Sequence, residues 1–279
     1  MNLLRRLSHL LSHLQVLSGL ATRLHLRTAL RRAYYWWVTS PEGVEFCALG
    51  LSYRMRGLDP DRLRSCEWYV LYGERDFLVA LRADLRPGES VLDVGANLGQ
   101  FTLPLAKMVG EKGHVLSFEP VGAAFQQLLE NVKLNGLTNV QVFRKALGEE
   151  DTEAEIFVGG SRCPSIVAPE DDAIYRSVSE KIEIVRGDTF FAREKLPIPH
   201  AVKIDVEGFE YAVLQGLRAT LADPRCRLMC LEIHPHLLPS GVSAETITEL
   251  LRSLGFEQFQ THARRRELHV VALKPAPVS

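Results

Sequence analysis

The sequence predicts a Rossmann-like α/β fold, with helices packed on both faces of a mostly parallel sheet. Three observations predict it. From about residue 81 onward, short apolar runs alternate with amphipathic stretches of helical length. One run, "SVLDVG" (residues 90–95), passes directly into a turn holding Gly95 and Gly99. Carboxylates stand where the runs end, at Asp93, Glu119, Asp205 and Glu232. On such sheets ligands bind outside the carboxyl ends of the strands, where strand order reverses.

Each element has its own signal. "SVLDVG" is short and apolar, as a strand buried on both faces must be. "GQFTLPLAKMVG" is a helix stopped by Gly110, and "HVLSFEP" is a second strand closed by Pro120. "GAAFQQLLENVKLNG" is amphipathic, with Gly136 just past its end, a common stop signal. "VQVFRKA" is a third strand, followed by an insertion with at least two strand-like pieces that ends at "EKIEIV". "AVKIDV" is the fourth strand, "GFEYAVLQGLRATLAD" a helix, and "RLMCLEIH" the fifth strand. "SAETITELLRSLGF" is a helix with Ser243 as N-cap and Glu245 in the first turn, where the helix dipole favours an acid. Its third position is Thr246, so the expectation is no full capping box. "ELHVVALKP" is the last strand.

Composition limits the function classes. The 279 residues are 46% hydrophobic and 24% charged, enough for a substantial core. A formal net charge of -1 argues against a nucleic-acid partner, which calls for a basic excess. Five scattered cysteines, Cys47, Cys66, Cys163, Cys226 and Cys230, include no CxxC pair. They read as small buried side chains in a reducing compartment rather than a disulfide framework or a zinc site.

Charge divides the chain. Residues 1 to 41 hold six arginines and no acid. The expected division is a basic amphipathic helix over 1–33, an aromatic-rich connecting or lid segment over 34–80, and the α/β domain over 81–279. Leu3, Leu7, Leu10, Leu14, Leu17, Ala21 and Leu24 form a heptad seam. This segment is too polar to span a bilayer and makes a poor secretory signal. It suits packing on the α/β domain, self-association through residues 3–24, or peripheral contact with an anionic membrane. An Arg-rich, acid-free start also resembles an organelle transit peptide; otherwise the chain is expected in the cytoplasm.

The turn after the first strand decides among nucleotides. A dinucleotide fingerprint needs glycines at positions 97 and 100, which are Asn97 and Gln100 here. Asp93 also sets negative charge beside the loop. That charge suits S-adenosylmethionine, which carries a sulfonium and an ammonium and no phosphate. Glu119, at the next strand end, suits its ribose hydroxyls.

Together, "VLDVGANLGQFTLPLA", "SFEP", "NVKLNG", "KALG", "VKIDVEGFE" and "LEIHP" resemble the FkbM family of S-adenosylmethionine-dependent methyltransferases. The resemblance spans about residues 81 to 235, and "KIDVEGFE" is its most specific piece. It implies a seven-strand sheet of order 3-2-1-4-5-7-6 whose last strand is antiparallel. It implies methyl transfer, typically to a hydroxyl oxygen of a sugar, lipid or polyketide-type product. Asp93, Gly95, Ala96, Asn97, Gly99 and Phe101 match the loop around the methionine moiety, Glu119 the ribose acid, and Ala146 the adenine edge. Lys145 stands where the family commonly has Asn. Asp205 falls beside the expected methyl group and counts with the cofactor residues.

Methyl transfer needs an aligned acceptor and a group to take its proton. Asp205, Glu207 and His234 are the catalytic candidates. His234 is offered as a base because an unperturbed imidazole titrates near ~6.5. Glu207, Glu232, His234, Arg162 and Ser165 are candidates for acceptor binding, the last two on "GGSRCPS". Glu210 reads as a first-turn helix acid and Lys203 as the partner of a buried acid. No metal is required; the weaker alternative is magnesium at Asp205, Glu207 and Glu232. Two rival functions are a nicotinamide oxidoreductase on a doubly wound sheet and a non-catalytic scaffold. A small-molecule, glycan or lipid acceptor with a free hydroxyl is the expected partner.

Overall fold

The computed structural model describes residues 43–57, 75–158, 164–166, 178–264 and 266–275. The basic heptad segment, the aromatics at 34–37, Cys66, Arg162 and Cys163 lie outside the described residues.

The main sheet is built from β3 (Ser90–Val94), β4 (His114–Phe118), β5 (Val140–Phe143), β9 (Ala201–Ile204), β10 (Leu228–Ile233), β11 (Gln258–Arg264) and β12 (Glu267–Leu273). Its order is β11-β12-β10-β9-β3-β4-β5. Counted in chain order, these seven strands run 3-2-1-4-5-7-6. β12 alone runs against the other six strands, pairing antiparallel with both β10 and β11. The chain therefore has the expected Rossmann-like α/β architecture.

Alternation along the central strands sorts side chains between two cores. Val91, Val115, Ala201, Leu228 and Cys230 face one core, shared with α1 (Arg75–Asp84) and α2 (Thr102–Val109). Leu92, Leu116, Val202, Ile204, Met229 and Leu231 face the other. That second core is completed by α4 (Gly187–Glu194), α5 (Glu210–Gly216), α6 (Arg218–Ala222) and α7 (Ala244–Ser253). A strand walled on both faces reads as an unbroken apolar run, which is why "SVLDV" carries no polar alternation. Cys226 and Cys230 are buried in these cores, whereas Cys47 is exposed.

Several elements differ from the sequence-based expectation. "VQVFRKA" is two strands. β5 ends at Phe143, and β6 (Ala146–Gly148) leaves the main sheet to pair with β8 (Ser179–Arg186). Arg144 and Lys145, between them, pair with Glu180 and Glu183 of β8, which pulls the chain across. With β7 (Thr152–Phe157), these form a three-stranded sheet, the insertion's strand-like pieces. The helix after β9 is also divided. Gly216 lies so near the Gly148 carbonyl that a Cβ there would come within 1.7 Å. A separate helix, α6, then starts under a cap from α4. Asp188 accepts from the backbone N–H groups of Ala219 and Thr220, each at 2.8 Å. The α7 terminus does carry a capping box, because the Thr246 hydroxyl accepts from the Ser243 N–H at 3.3 Å and so replaces the expected Glu or Gln. The elements α1, α4 and β11 had no separate assignment in the sequence, and the boundary at residue 81 falls inside α1.

Ahead of α1, β1 (Val44–Ala48) and β2 (Leu51–Met55) form a hairpin against α3 (Gly122–Leu134). Asn131 and Asn135 lie one helical turn apart and act as a surrogate strand for β2. Asn135 accepts from the Arg54 N–H at 2.8 Å and donates to its carbonyl at 2.7 Å. Asn131 accepts from the Arg56 N–H at 2.7 Å and donates to the Leu98 carbonyl at 2.9 Å. The asparagines of "NVKLNG" thereby tie the hairpin to the glycine loop.

Candidate functional site

The loop after β3 is shaped by steric necessity. Gly95 has φ 77°, and a Cβ there would lie 1.8 Å from the Asp205 carbonyl. The ends of β3 and β9 therefore touch through backbone alone. The N–H groups of Gly95 and Ala96 both donate to the Phe118 carbonyl at 3.0 Å. Asn97 adopts the left-handed region at φ 49° and donates its N–H to Glu119 Oε2 at 2.8 Å.

Glu119 is buried and accepts a second N–H, from Val121, at 2.9 Å. Burial pushes its carboxyl up to about 7, against the opposing pull of those two hydrogen bonds. The carboxylate still borders a cleft at the carboxyl ends of β3, β4 and β9, enclosing about 720 Å³ with its open mouth. Gly95, Asn97, Lys145, Ala146, Asp205 and Glu207 line the same cleft. Its apolar wall includes Phe118, Leu147, Ile156 and Phe209.

Other expected cofactor residues lie behind this surface. Asp93 is fully buried in β3. Its Oδ2 accepts from the Thr102 hydroxyl at 2.6 Å, and Lys203 Nζ stands 3.7 Å from Oδ1. Burial raises the Asp93 carboxyl, and Lys203 and Thr102 oppose that shift. Lys203 also donates to the Gly95 carbonyl at 3.1 Å, lies 3.7 Å from Asp205 Oδ2 and sits over the Phe101 ring. The register explains the cluster: Asp93 is paired with Ser117 on one side and Lys203 on the other. Ala96, Gly99 and Phe101 are likewise buried and absent from the cleft lining. These residues shape the loop from beneath.

Acids and buried histidines form two chains of alternating charge, one at the turn after β9 and one running from β10 to α1. Strand β9 ends at Ile204, and Glu207 has φ 51°. Asp205 and Glu207, two positions apart, therefore do not share the common face that an extended strand would give them. Gly208 makes the turn at φ 100°, where a Cβ would lie 2.5 Å from that of Leu237. His234, only 2% exposed, bridges Glu207 and Glu210. Its Nδ1 is 2.7 Å from Glu210 Oε1, and its Nε2 is 3.3 Å from Glu207 Oε2. Burial alone would lower this imidazole. The Glu210 hydrogen bond and the charges of Glu207 and Asp205 overcome it and push the ring up to about 10. At neutral pH His234 is an imidazolium, a donor rather than the proton acceptor its ordinary value suggested.

The second chain is Glu232–His269–Asp76. His269 Nε2 lies 3.2 Å from Glu232 and its Nδ1 3.2 Å from Asp76. Burial opposes the charge on His269, but both hydrogen bonds raise it to about 9. Glu232 and His234 are buried and do not line the cleft, so neither presents its side chain to an acceptor there. Ser165 is also buried; its hydroxyl donates to the Glu207 carbonyl at 2.6 Å. Among the described residues, Asp205, Glu207 and His234 bring possible metal-ligand atoms within 4.8 Å of one another. Glu232 groups instead with His234 and Glu267. Sequence reasoning missed His269, Asp76 and the partnership of Glu210 with His234. Only the Glu232–His269 strand register links the first of these, and that is a long-range pairing.

The family described as "Methyltransferase FkbM domain" matches residues 93–257. A hexuronic acid methyltransferase, AglP, of Haloferax volcanii is 27% identical over 201 residues, covering 72% of this chain and 77% of that protein. A 23S rRNA (uracil(1939)-C(5))-methyltransferase, RlmD, of Psychrobacter arcticus is 39% identical over 70 residues, covering 25% of this chain and 14% of that one. Among solved structures, a methyltransferase FkbM of Methylobacillus flagellatus superposes with a TM-score of 0.46 at 17% identity, covering 76% of this chain and 54% of that one. Aeropyrum pernix fibrillarin gives 0.48 at 16% identity, covering 84% of each chain.

Proposed function

Because this chain belongs to the FkbM methyltransferase family, and as a methyltransferase takes its methyl group from S-adenosyl-L-methionine, we propose that it O-methylates a hydroxyl of a sugar, lipid or secondary metabolite. One observation carries the reading: Glu119, Asp205 and Glu207 border a single cleft at the strand ends. A carboxylate-lined cleft suits a cationic sulfonium donor and a hydroxyl acceptor, and disfavours a diphosphate.

In this reading the Glu119 oxygens, already ordered by Asn97 and Val121, accept the ribose hydroxyls. Asp93 keeps its place beneath the loop with Lys203. The acceptor oxygen attacks the methyl carbon in line with the carbon–sulfur bond. That bond breaks, its electron pair stays on sulfur, and S-adenosylhomocysteine leaves. The acceptor's proton passes to a carboxylate, Asp205 or Glu207, and from there to water. Lys203, close to both Asp93 and Asp205, keeps Asp205 aimed at the transfer. The likeness to a hexuronic acid methyltransferase favours a carbohydrate acceptor. Residues 3–24 are left for membrane contact or self-association.

The test is transfer of labelled methyl from S-adenosylmethionine into fractionated glycan, lipid and small-molecule extracts, with mass spectrometry of the product. A labelled ether bond supports the reading. Labelled carbon or nitrogen would refute O-methylation, and failure to bind millimolar S-adenosylmethionine would refute the donor.

A further inference from the structure

Glu207 is held at both ends by groups that do not line the cleft. Its backbone occupies the left-handed region, a conformation a non-glycine residue keeps only when its surroundings impose it. Its carbonyl accepts from the Ser165 hydroxyl at 2.6 Å. Ser165 is in turn fixed to β7 by two backbone hydrogen bonds with Phe157, at 2.9 and 3.2 Å. The Glu207 carboxylate faces His234 Nε2 at 3.3 Å. His234 is buried and aimed by Glu210, which also accepts from the Gly208 N–H at 2.8 Å. Glu210 thus fixes both the turn that starts at Glu207 and the imidazole that meets its side chain.

The geometry points to Glu210 and Ser165 as positioning residues that hold the Glu207 carboxylate toward the acceptor, Glu210 through His234 and Ser165 through the Glu207 backbone. This rests on the proposed function, since it gives Glu207 an acceptor to orient. The insertion gains a role as well, because the segment carrying Ser165 clamps the catalytic turn. A carboxylate that orients a hydroxyl must be fixed within a few tenths of an ångström, and one hydrogen bond at each end does this without placing another group in the cleft.

The groups facing His234 come from every element around it. They are Asp205 and Glu207 after β9, Glu210 at the start of α5, Glu232 of β10, His236 after β10, and Glu267 of β12. Of these, Glu210 and Glu207 are the two that meet its ring nitrogens directly. The relay therefore differs from a merely buried histidine in one respect: the ring must sense Glu207, across the cleft wall.

The experiment uses the full chain with ¹⁵N-labelled histidine and follows the His234 ring nitrogens by NMR from pH 6 to 10. In the wild type both nitrogens should stay protonated through pH 8.5. Glu210→Gln and Glu207→Gln should each lower the titration midpoint by more than one pH unit. S-adenosylmethionine affinity, measured by calorimetry, should stay within twofold in Glu210→Gln. At saturating S-adenosylmethionine, and relative to the wild type at the same pH, label transfer into the extract should fall at least tenfold at pH 8 in that variant and partly recover at pH 6, where the imidazolium returns. A wild-type His234 that is neutral at pH 7.5 overturns the relay, and this needs no variant to fold. So does a Glu207→Gln chain whose His234 titrates as in the wild type. For Ser165, Ser165→Ala should reduce transfer and Ser165→Thr restore it; equal transfer in both removes its role. If the wild type binds no S-adenosylmethionine, the donor reading fails while the ring titration still decides the relay.

Discussion

Lys203 shows how one side chain can serve several groups. It is nearly buried, yet it faces two carboxylates, a backbone carbonyl and an aromatic ring. Replacing it with Met would leave Asp93 as a buried charge without its cation. Loss of one partner from such a pair costs about 3–5 kcal/mol. Lys203→Met should therefore lower the unfolding free energy by about that much in urea titration, and Asp93→Asn in the same chain should recover part of it. Glu119 makes a different prediction. Its carboxyl titrates at about 7, raised mainly by burial, so the carboxylate form dominates only above that pH. If this carboxylate binds the ribose, S-adenosylmethionine affinity should weaken as pH falls from 8 to 6, approaching about tenfold per pH unit below 7. Calorimetry at three pH values checks it. Glu119→Gln should bind weakly with no such dependence.

Elements here are held by side chains that imitate backbone. Asn131 and Asn135 pair with β2 as a strand would, and Asp188 caps a helix from another helix. Asn131 is fully buried and serves Arg56 and Leu98 together. Asn131→Ala strands the buried Leu98 carbonyl and two half-buried Arg56 backbone groups, and a buried group left unpaired costs about 1–3 kcal/mol. Asn135→Ala opens groups that water can reach. Thermal denaturation should show the larger loss for Asn131→Ala, and that variant should also weaken cofactor binding, because Leu98 belongs to the glycine loop. Equal losses would mean the hairpin does not brace the loop. The sequence could place these asparagines on a helix, but a stop signal was all their local spacing revealed. Their partners lie 75 and 81 positions away.

Across the whole molecule, two buried imidazoliums link the hairpin-side helix α1, the central strands and the cleft. Both histidines have folded values above the ordinary ~6.5, His269 at about 9 and His234 at about 10. A raised histidine contributes stability that is fully present below ~6.5 and disappears as pH rises through the folded value. The melting temperature should therefore fall between pH 6.5 and 10. His269→Asn should flatten the portion nearest pH 9. A wild-type melting temperature constant over that range would contradict both charged rings. Among the described residues no helix is long and apolar enough to cross a membrane.

Sheet and helices were legible because burial on two faces leaves apolar runs of strand length, and amphipathic spacing marks what covers them. The glycine loop, Glu119 at the next strand end, Asp205 at the fourth, and the pairing of Lys203 with an acid could all be reached from local pattern. Which carboxylates face the cleft could not. Asp93, Glu119, Asp205, Glu207, Glu210 and Glu232 all stand near strand ends in sequence, yet only Glu119, Asp205 and Glu207 line the cavity. Strand pairing brings Lys203 beside Asp93 and His269 beside Glu232, and packing sets Glu210 against His234. Sequence alone determined the fold class and the types of residue supplied to the site, because periodicity and turn chemistry act over a few neighbours. Tertiary structure alone decided which of them are charged, buried or presented, because desolvation and Coulomb interactions depend on groups that the chain brings together from far apart.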